Sequence, residues 1–325
     1  MKKRISGLIL ILALLLPVPC GALDLSSDEP ICYSNFDMIS LQEMQETHQE
    51  YTTGDMIADS YLYEARQNGI TDIDVAIVPL ASIRASVKEG PLTAADAFSI
   101  CYAAEEGPYA EGAPLVCAYL SGKDLKLLTE IDASLGPAQS GVKLSYAGLN
   151  YRFNTKRILM DRVTSVGLAR SGGMLELIED DMLYKVCTNR YAADLLDDLN
   201  GLIWKTFVIT PRDADGQPLE DLSGCLLTDE NGSPVMEWMA LADYWTSFRT
   251  GDSGLPEVPL LYSAPQTRKV KYEEGGFARI ENPGTVTLAA IGAAVLLLVL
   301  LFVIVLLIRR AVLRRRERLA RAGRS

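Results

Sequence analysis

The chain has 325 residues, enough for one large domain or two ordinary ones. The formal net charge of −11 averages unlike parts: residues 309–325 carry eight arginines against Glu317, whereas residues 23–308 carry 20 basic and 41 acidic residues. An acidic body argues against nucleic acid as a partner. A single histidine, His48, excludes a site that needs several imidazoles, and we expect its side chain to be exposed before a helix.

The first 22 residues have the pattern of a secretory signal peptide. Lys2, Lys3 and Arg4 precede an apolar run over residues 8–16, and Cys20-Gly21-Ala22 offers small residues for cleavage after Ala22. A lipoprotein signal through Cys20 is the alternative, but Pro19 stands where a small residue is expected. The body, residues 23–262, shows no internal repeat and is predicted to be exported as one domain.

The first half of the body alternates helical and strand patterns. Residues 54–67 place apolar side chains at helical spacing and end at Asn68-Gly69, and residues 74–80 form a short apolar run typical of a buried strand. Thr93 predicts the N-cap of a short helix within residues 91–98. A strand over residues 115–120 then leads through Ser121-Gly122 into a helix over residues 123–131.

The second half contains further strands and a striped helix. Residues 143–154 and 162–168 alternate apolar and polar side chains, and residues 183–188 indicate a buried strand that leads into a helix over residues 192–200. Trp238, Leu241, Ala242, Trp245 and Phe248 mark one face of a helix, by default turned to the core. Because helices and strands mix without strict βαβ alternation, the predicted fold class is α+β.

The C-terminal part predicts a stalk, a membrane span and a basic tail. Residues 263–284 are the expected stalk, and no charged residue occurs from Thr285 to Ile308, which is long enough to cross a bilayer and contact membrane lipid. The arginines after Ile308 place the tail, residues 309–325, in the cytoplasm and the body outside the cell, as a single-pass protein of the cell membrane. The tail either sets this topology and touches headgroups or binds an anionic partner.

After signal removal an odd number of cysteines remains: Cys32, Cys101, Cys117, Cys187 and Cys225. At least one thiol is therefore free or pairs between chains, and the pairing stays open. No C-x-x-C occurs, which argues against a redox motif or a zinc site. Most of these residues are expected to be small buried hydrophobes.

Seven short motifs follow one another between residues 45 and 200: 54–59 (GDMIAD), 74–78 (DVAIV), 82–84 (SIR), 90–98 (GPLTAADAF), 115–125 (LVCAYLSGKDL), 146–151 (YAGLNY) and 184–191 (YKVCTNRY). In this order they resemble the C-terminal domain of the 5′-nucleotidase family. Residues 211–222 and 237–248 resemble its bacterial branch, in which this domain follows a metallophosphatase domain. The resemblance implies an α+β fold of layered sheets and helices that recognises the nucleoside half of a substrate.

The resemblance also implies substrate-binding residues. The family binds its substrate with the arginine that ends a G-G-I-R turn, two aromatic residues around the base and an aspartate in a G-G-D-G-Y turn. These correspond here to Arg84, Tyr102, Tyr191 and Asp197. The sequence departs from the family, with Ala81-Ser82 and Leu195-Leu196 where paired glycines are expected. Leucines disfavour the glycine turn at that point and favour a helix.

Neither a D-x-H nor a G-N-H-E segment, which hold the two metal ions of the complete enzymes, occurs in this chain. We therefore predict no catalytic residue, no metal and no cofactor. Three hypotheses remain: a nucleotide- or nucleoside-recognition or accessory module, a 5′-nucleotidase that acts together with a separate metallophosphatase chain, and a degenerate ectodomain that serves only contacts.

Overall fold

The computed structural model describes residue 25 and residues 27–101, 107–170, 174–196 and 208–322, in which helices and strands are mixed. The strands β1 to β10 are Cys32–Ser34, Val75–Pro79, Gly90–Leu92, Leu115–Ser121, Leu144–Ala147, Leu149–Asn154, Val163–Ala169, Leu175–Leu177, Leu183–Asn189 and Lys269–Tyr272. The helices α1 to α7 are Leu41–Glu46, Thr52–Gln67, Ala94–Cys101, Gly122–Leu135, Arg190–Asp194, Glu237–Thr246 and Thr285–Ala322. The predicted signal peptide, residues 1–22, lies outside the described residues.

Strand β2 forms the centre of a four-stranded sheet of order β4-β9-β2-β5. It is parallel to β9 and antiparallel to β5, and all five of its residues are buried, as the apolar run predicts. Side chains alternate across a strand, so Val75 and Ile77 belong to one apolar core and Ala76 and Val78 to another. The sheet is therefore a layer between two cores, which confirms the predicted layered α+β fold.

The first core lies between this sheet and helices α2, α3 and α6. Helix α6 buries the predicted stripe, with Trp245 and Leu241 fully inaccessible, and Tyr61 of α2 is equally buried. The stripe therefore packs inside the protein, and each buried aromatic ring removes a large apolar area from water. The prediction of a helix over residues 54–67 is confirmed by α2, which ends at the C-cap Asn68.

The second core lies between the central sheet, helix α4 and a second sheet of order β10-β6-β7-β8. Helix α4 begins with a capping box, in which the Ser121 hydroxyl accepts a hydrogen bond from the Asp124 amide and the Asp124 carboxylate accepts one from the Ser121 amide. Tyr151 and Phe153 of β6 are buried against this helix. A third, two-stranded sheet pairs β1 with β3.

Gly148 divides the alternating segment 143–154 into two strands of different sheets. Its φ is +76°, and a Cβ at this position would lie 2.1 Å from the carbonyl oxygen of Asp74. Only glycine combines this backbone conformation with so close an approach. Alternation alone predicts the two strands but not the turn that sends β5 and β6 into separate sheets.

The predicted stalk, residues 263–284, is incorrect where it contains β10. This strand pairs in parallel with β6, from Lys269 opposite Tyr151 to Tyr272 opposite Asn154. Lys269 is 7% exposed, and its Nζ contacts the Asp132 carboxylate at 2.6 Å. A lysine in a polar segment is typical of a solvated linker. The sequence pattern therefore does not indicate this strand, in which the charge of Lys269 is neutralised inside the fold.

Residues 212–256 contain three hairpins of one design, although the sequence pattern indicates no repeat. The bridged residues of the three hairpins are Arg212 with Pro218, Thr228 with Pro234, and Thr250 with Pro256. In the first, the Asp213 carboxylate accepts hydrogen bonds from the amides of Asp215 and Gln217. The acids of this loop therefore stabilise a turn, as expected from its Pro and Gly residues.

The cysteines Cys32, Cys101, Cys117, Cys187 and Cys225 are all free in the structure. Cys32, Cys101 and Cys187 are buried, and Cys117 lies opposite Cys187 across strands β4 and β9. Their main role in the described fold is that of small apolar side chains.

In the described part of the chain, one helix is long and apolar enough to cross a membrane. It covers Thr285–Arg314 within α7, and its most apolar 18-residue window has a mean hydropathy of 3.5 and is not buried. This is consistent with the predicted membrane anchor.

Candidate functional site

Arg84 lies at the carboxyl edge of the central sheet. It follows β2 and the turn Leu80–Ser82, which the Ser82 hydroxyl stabilises by donating to the Pro79 carbonyl at 2.9 Å. The Arg84 amide donates to the carbonyl of Ile100 in α3 at 2.9 Å, and the side chain is half-buried. The backbone of Arg84 is therefore fixed between the end of a strand and the last turn of a helix.

Tyr191 reaches the same edge from the neighbouring strand. It is the second residue of helix α5, which begins directly after β9 at its N-cap Asn189. Because β2 and β9 are parallel, the segments after them lie at one edge of the sheet, and helix α5 contacts the turn that precedes Arg84. The structure therefore places Arg84 and Tyr191 at the same edge of the sheet, which is the edge where open sheets bind ligands.

Tyr109 is an aromatic residue of this site that the sequence patterns do not reveal. Its ring meets the Tyr191 ring edge-on, with centroids 6.0 Å apart and planes at 77°. Its hydroxyl donates to the Asp194 carboxylate, which also accepts from Arg190 Nε at 2.7 Å. Partial burial and this carboxylate raise the pKa of Tyr109 to about 12. No spacing rule links a loop tyrosine with one so far along the chain, so only the fold shows the pair.

Glu237 contributes a buried carboxylate beside these residues. Its oxygens accept hydrogen bonds from the Ala113 amide at 3.1 Å, the Asn189 side chain at 2.5 Å and the Tyr61 hydroxyl at 3.3 Å. Burial raises its pKa to about 8, and the positive charge of Arg84 acts weakly in the opposite direction. The acid at the start of the striped helix is the available sequence signal.

An apolar cavity of about 270 Å³ adjoins the site on the side of helix α4. The cavity is lined by Ala81, Leu195, Leu196, Ala192 and Ile131, among others. The first three stand where the family resemblance leads us to expect glycines. The walls offer almost no polar groups, so this cavity suits no phosphate or ribose. The polar side chains of the candidate site lie instead at the edge that carries Arg84 and Tyr191.

A family model covers the part of the chain that carries Arg84, Tyr109 and Tyr191. The family model described as "5'-nucleotidase, C-terminal domain" matches residues 31–200. The chain belongs to this family. No curated protein matches the sequence.

A solved structure shares the fold of this 5′-nucleotidase C-terminal domain at low identity, and a second matches a similar part of the chain. A 5'-nucleotidase precursor from Thermus thermophilus is 20% identical with a TM-score of 0.55, over 76% of this chain and 40% of that one. The Haemophilus influenzae NAD nucleotidase is 17% identical with a TM-score of 0.48, over 75% of this chain and 38% of that one. The chain therefore spans about two fifths of the length of these relatives.

Two of the four residues assigned by resemblance lie in the described part of the 5′-nucleotidase C-terminal domain. Arg84 and Tyr191 occur together at the sheet edge, whereas Tyr102 and Asp197 lie outside the described residues. Helix α5 ends at Asp194, within the segment predicted to be helical. The involvement of all four residues in binding remains a prediction.

The expectation that His48 is an exposed side chain is wrong. Its side chain is 6% exposed, and Nε2 lies 2.9 Å from Oδ1 of Asp132. Asp132 also accepts from Lys269 Nζ and the Tyr151 hydroxyl, both at 2.6 Å. Within the described residues, no group of three or more His, Cys, Asp and Glu side chains is arranged to hold a metal ion.

Proposed function

We propose that this chain is a membrane-anchored module that recognises nucleosides or nucleotides outside the cell. The observation that carries the proposal is the convergence of Arg84 and Tyr191 at one sheet edge of a 5′-nucleotidase C-terminal domain. A tyrosine ring stacks on any base, and an arginine donates to hydroxyl, carbonyl or phosphate oxygens. Tyr109 supports the ring of Tyr191 from its edge.

The charges around the site favour the nucleoside over free phosphate. Asp194 lies near the same edge as Arg84, and the body of the protein is strongly acidic. Such a surface repels a polyanion, while stacking is independent of charge. Tyr102 and Asp197 complete the proposed pocket as the second wall and the ribose contact.

Hydrolysis is assigned to a separate metallophosphatase domain or chain, because the residues of the proposed pocket supply no two-metal centre. In this second candidate function the module presents the nucleoside half of the substrate to that catalyst. Proteins named 5'-nucleotidase share its fold, which supports a link to nucleotide catabolism. A purely structural ectodomain is the alternative that ligand binding would reject.

We expect weak binding of adenosine, with a Kd on the order of 0.1–1 mM. Replacing Tyr191 by alanine should weaken it about tenfold or more, because stacking contributes ~1–3 kcal/mol per base. Ligand-observed NMR with the full chain in detergent micelles measures the affinity. Tyr119→Ala is the matched control, since Tyr119 is a half-buried tyrosine farther along strand β4. Binding that is absent at millimolar adenosine, or equally weakened by both variants, would reject the nucleoside proposal.

The proposed topology has the body outside and the arginine tail inside. Protease added to intact cells should therefore digest the body and leave a protected fragment that contains the tail. An epitope placed after Ser325 and another before Leu25 report the two ends by immunoblot. A protected body with a digested tail would reverse the orientation.

A further inference from the structure

Four large apolar side chains are exposed in the two segments closest to helix α7. Ile158 and Leu159 lie in the loop between β6 and β7, with 43% and 52% of their surface exposed. Phe277 and Ile280 lie between β10 and α7, with 87% and 48% exposed. We call this group the membrane-proximal face. Exposed apolar groups of this kind in a folded protein mark an interaction site.

The two segments of the membrane-proximal face are bonded into one surface. Arg157, almost fully buried, donates to the carbonyl oxygens of Glu281 at 2.6 Å and of Ala278 and Asn282 at 3.4 Å. Its guanidinium also pairs with Asp161 at 3.2 Å. The loop and the segment before α7 therefore hold one fixed relative position.

The same loop is bonded to the first turn of helix α7. The Asp161 carboxylate accepts a hydrogen bond from the Gly284 amide at 3.0 Å and another from the Thr287 hydroxyl. Thr287 is only 5% exposed. Because a helix rises about 1.5 Å per residue, this contact lies within a few ångströms of the start of the apolar span. No free linker separates the face from the bilayer that α7 is proposed to cross.

The charge around the face suits lipid headgroups. Apart from Arg157, Asp161 and Lys269, whose side chains are buried, residues 152–162 and 269–284 carry five basic and three acidic residues. The rest of residues 23–284 carries 13 basic and 37 acidic ones. Basic side chains next to apolar ones are the composition of surfaces that lie in the membrane interface. The face is therefore the part of an acidic body that an anionic bilayer repels least.

We propose that the membrane-proximal face inserts into the headgroup region of the bilayer and fixes the orientation of the domain relative to the membrane. This inference rests on the proposed membrane anchor. The four side chains that enter the boundary between headgroups and acyl chains are Ile158, Leu159, Phe277 and Ile280. The hydrogen bonds of Arg157 and Asp161 hold these segments in a fixed position relative to the rest of the domain. The partner is the lipid surface itself, because the proposed span that begins at Thr285 already holds the membrane-proximal face next to the bilayer.

Tryptophan quenching by brominated phospholipids tests the insertion. The full chain is reconstituted in nanodiscs as Phe277→Trp, and the emission added over the wild type is compared with and without bromine. We expect a loss of about half of that emission, as for a residue at the acyl boundary. Leu260→Trp is the matched control: Leu260 is 74% exposed but lies beside helix α2, ahead of β10, and its emission should not change.

Leu298→Trp, in the middle of the span, separates this inference from the anchor on which it rests. Quenching at 298 without quenching at 277 overturns the inference and leaves the anchor intact. No quenching at 298 overturns both. Equal quenching at 277 and 260 also overturns the inference, because the contact is then not specific to the face. Shielding of residue 277 that depends on protein concentration and not on bromine assigns the face to a second copy instead.

Discussion

Replacing Asp132 by alanine is expected to lower the free energy of unfolding by about 3–5 kcal/mol. Asp132 is fully buried and accepts from His48, Lys269 and Tyr151. Burial alone would raise its pKa, but the charge of Lys269 and the hydrogen bond from His48 outweigh that effect and hold the pKa below its ordinary value. The alanine variant leaves the Lys269 ammonium buried without a counter-charge.

Urea unfolding of the full chain in detergent, followed by near-ultraviolet circular dichroism, measures this loss. The double variant Asp132→Leu with Lys269→Met should recover part of the stability, since it removes both charges. Asp180→Ala is the matched control, because the Asp180–Lys126 pair is exposed and should change stability by less than about 1 kcal/mol. Equal losses for Asp132→Ala and Asp180→Ala would contradict the role of the buried network.

This network also explains how the body is joined to the helix. Lys269 at the start of β10 is held by Asp132, and the Asn154 side chain donates to the Glu274 carbonyl just after its end at 2.9 Å. The bonds of Arg157 and Asp161 continue the connection into α7. Consecutive hydrogen-bonded contacts replace the free stalk, so the orientation of the body is coupled to that of helix α7.

The sequence predicts those elements whose pattern is local. Strand β2 is recognisable from its short apolar run, and all five of its residues are buried in the structure. Helix α2 is recognisable from its apolar spacing and its Asn68-Gly69 end. Thr93 caps α3 as expected, since its hydroxyl accepts from the Asp96 amide. In each case the residues that determine the element lie within it or next to it.

What the sequence does not show depends on partners that are distant along the chain. His48 is buried because Asp132 lies opposite it, 84 positions away. Strand β10 pairs with the distant strand β6, and its Lys269 can be buried because Asp132 neutralises it. A charged side chain counts as solvent-exposed in any local pattern, so the local pattern is wrong for both. Tyr109 and Glu237 join the candidate site for the same reason, through contacts with Tyr191 and Asn189 that only the fold creates.

Two buried carboxyl groups at the interface of helices α2 and α6 should make the free energy of unfolding fall as the pH rises from about 5 to 8. Burial raises the pKa of Glu237 from its ordinary value of 4.5 to about 8. Burial, with the nearby charge of Asp243, raises that of Glu64 to about 7. The folded state therefore holds protons that the unfolded state has released above pH 4.5, and each further unit of pH favours unfolding until the folded carboxyls ionise.

Replacing Glu237 by glutamine should make the free energy of unfolding less dependent on pH. For the wild type we expect a loss of a few kcal/mol over this range, since each unit of pKa shift corresponds to about 1.4 kcal/mol. Urea unfolding at several pH values gives the slope. The slope is the informative quantity, because a glutamine amide facing the Asn189 side chain also changes the stability at every pH. Glu111→Gln, an exposed acid near the same helix, should keep the wild-type slope. A wild-type stability that rises between pH 5 and 8, or a Glu237→Gln slope equal to that of the control, would show that the buried carboxylate is ionised throughout and held by its three hydrogen-bond donors.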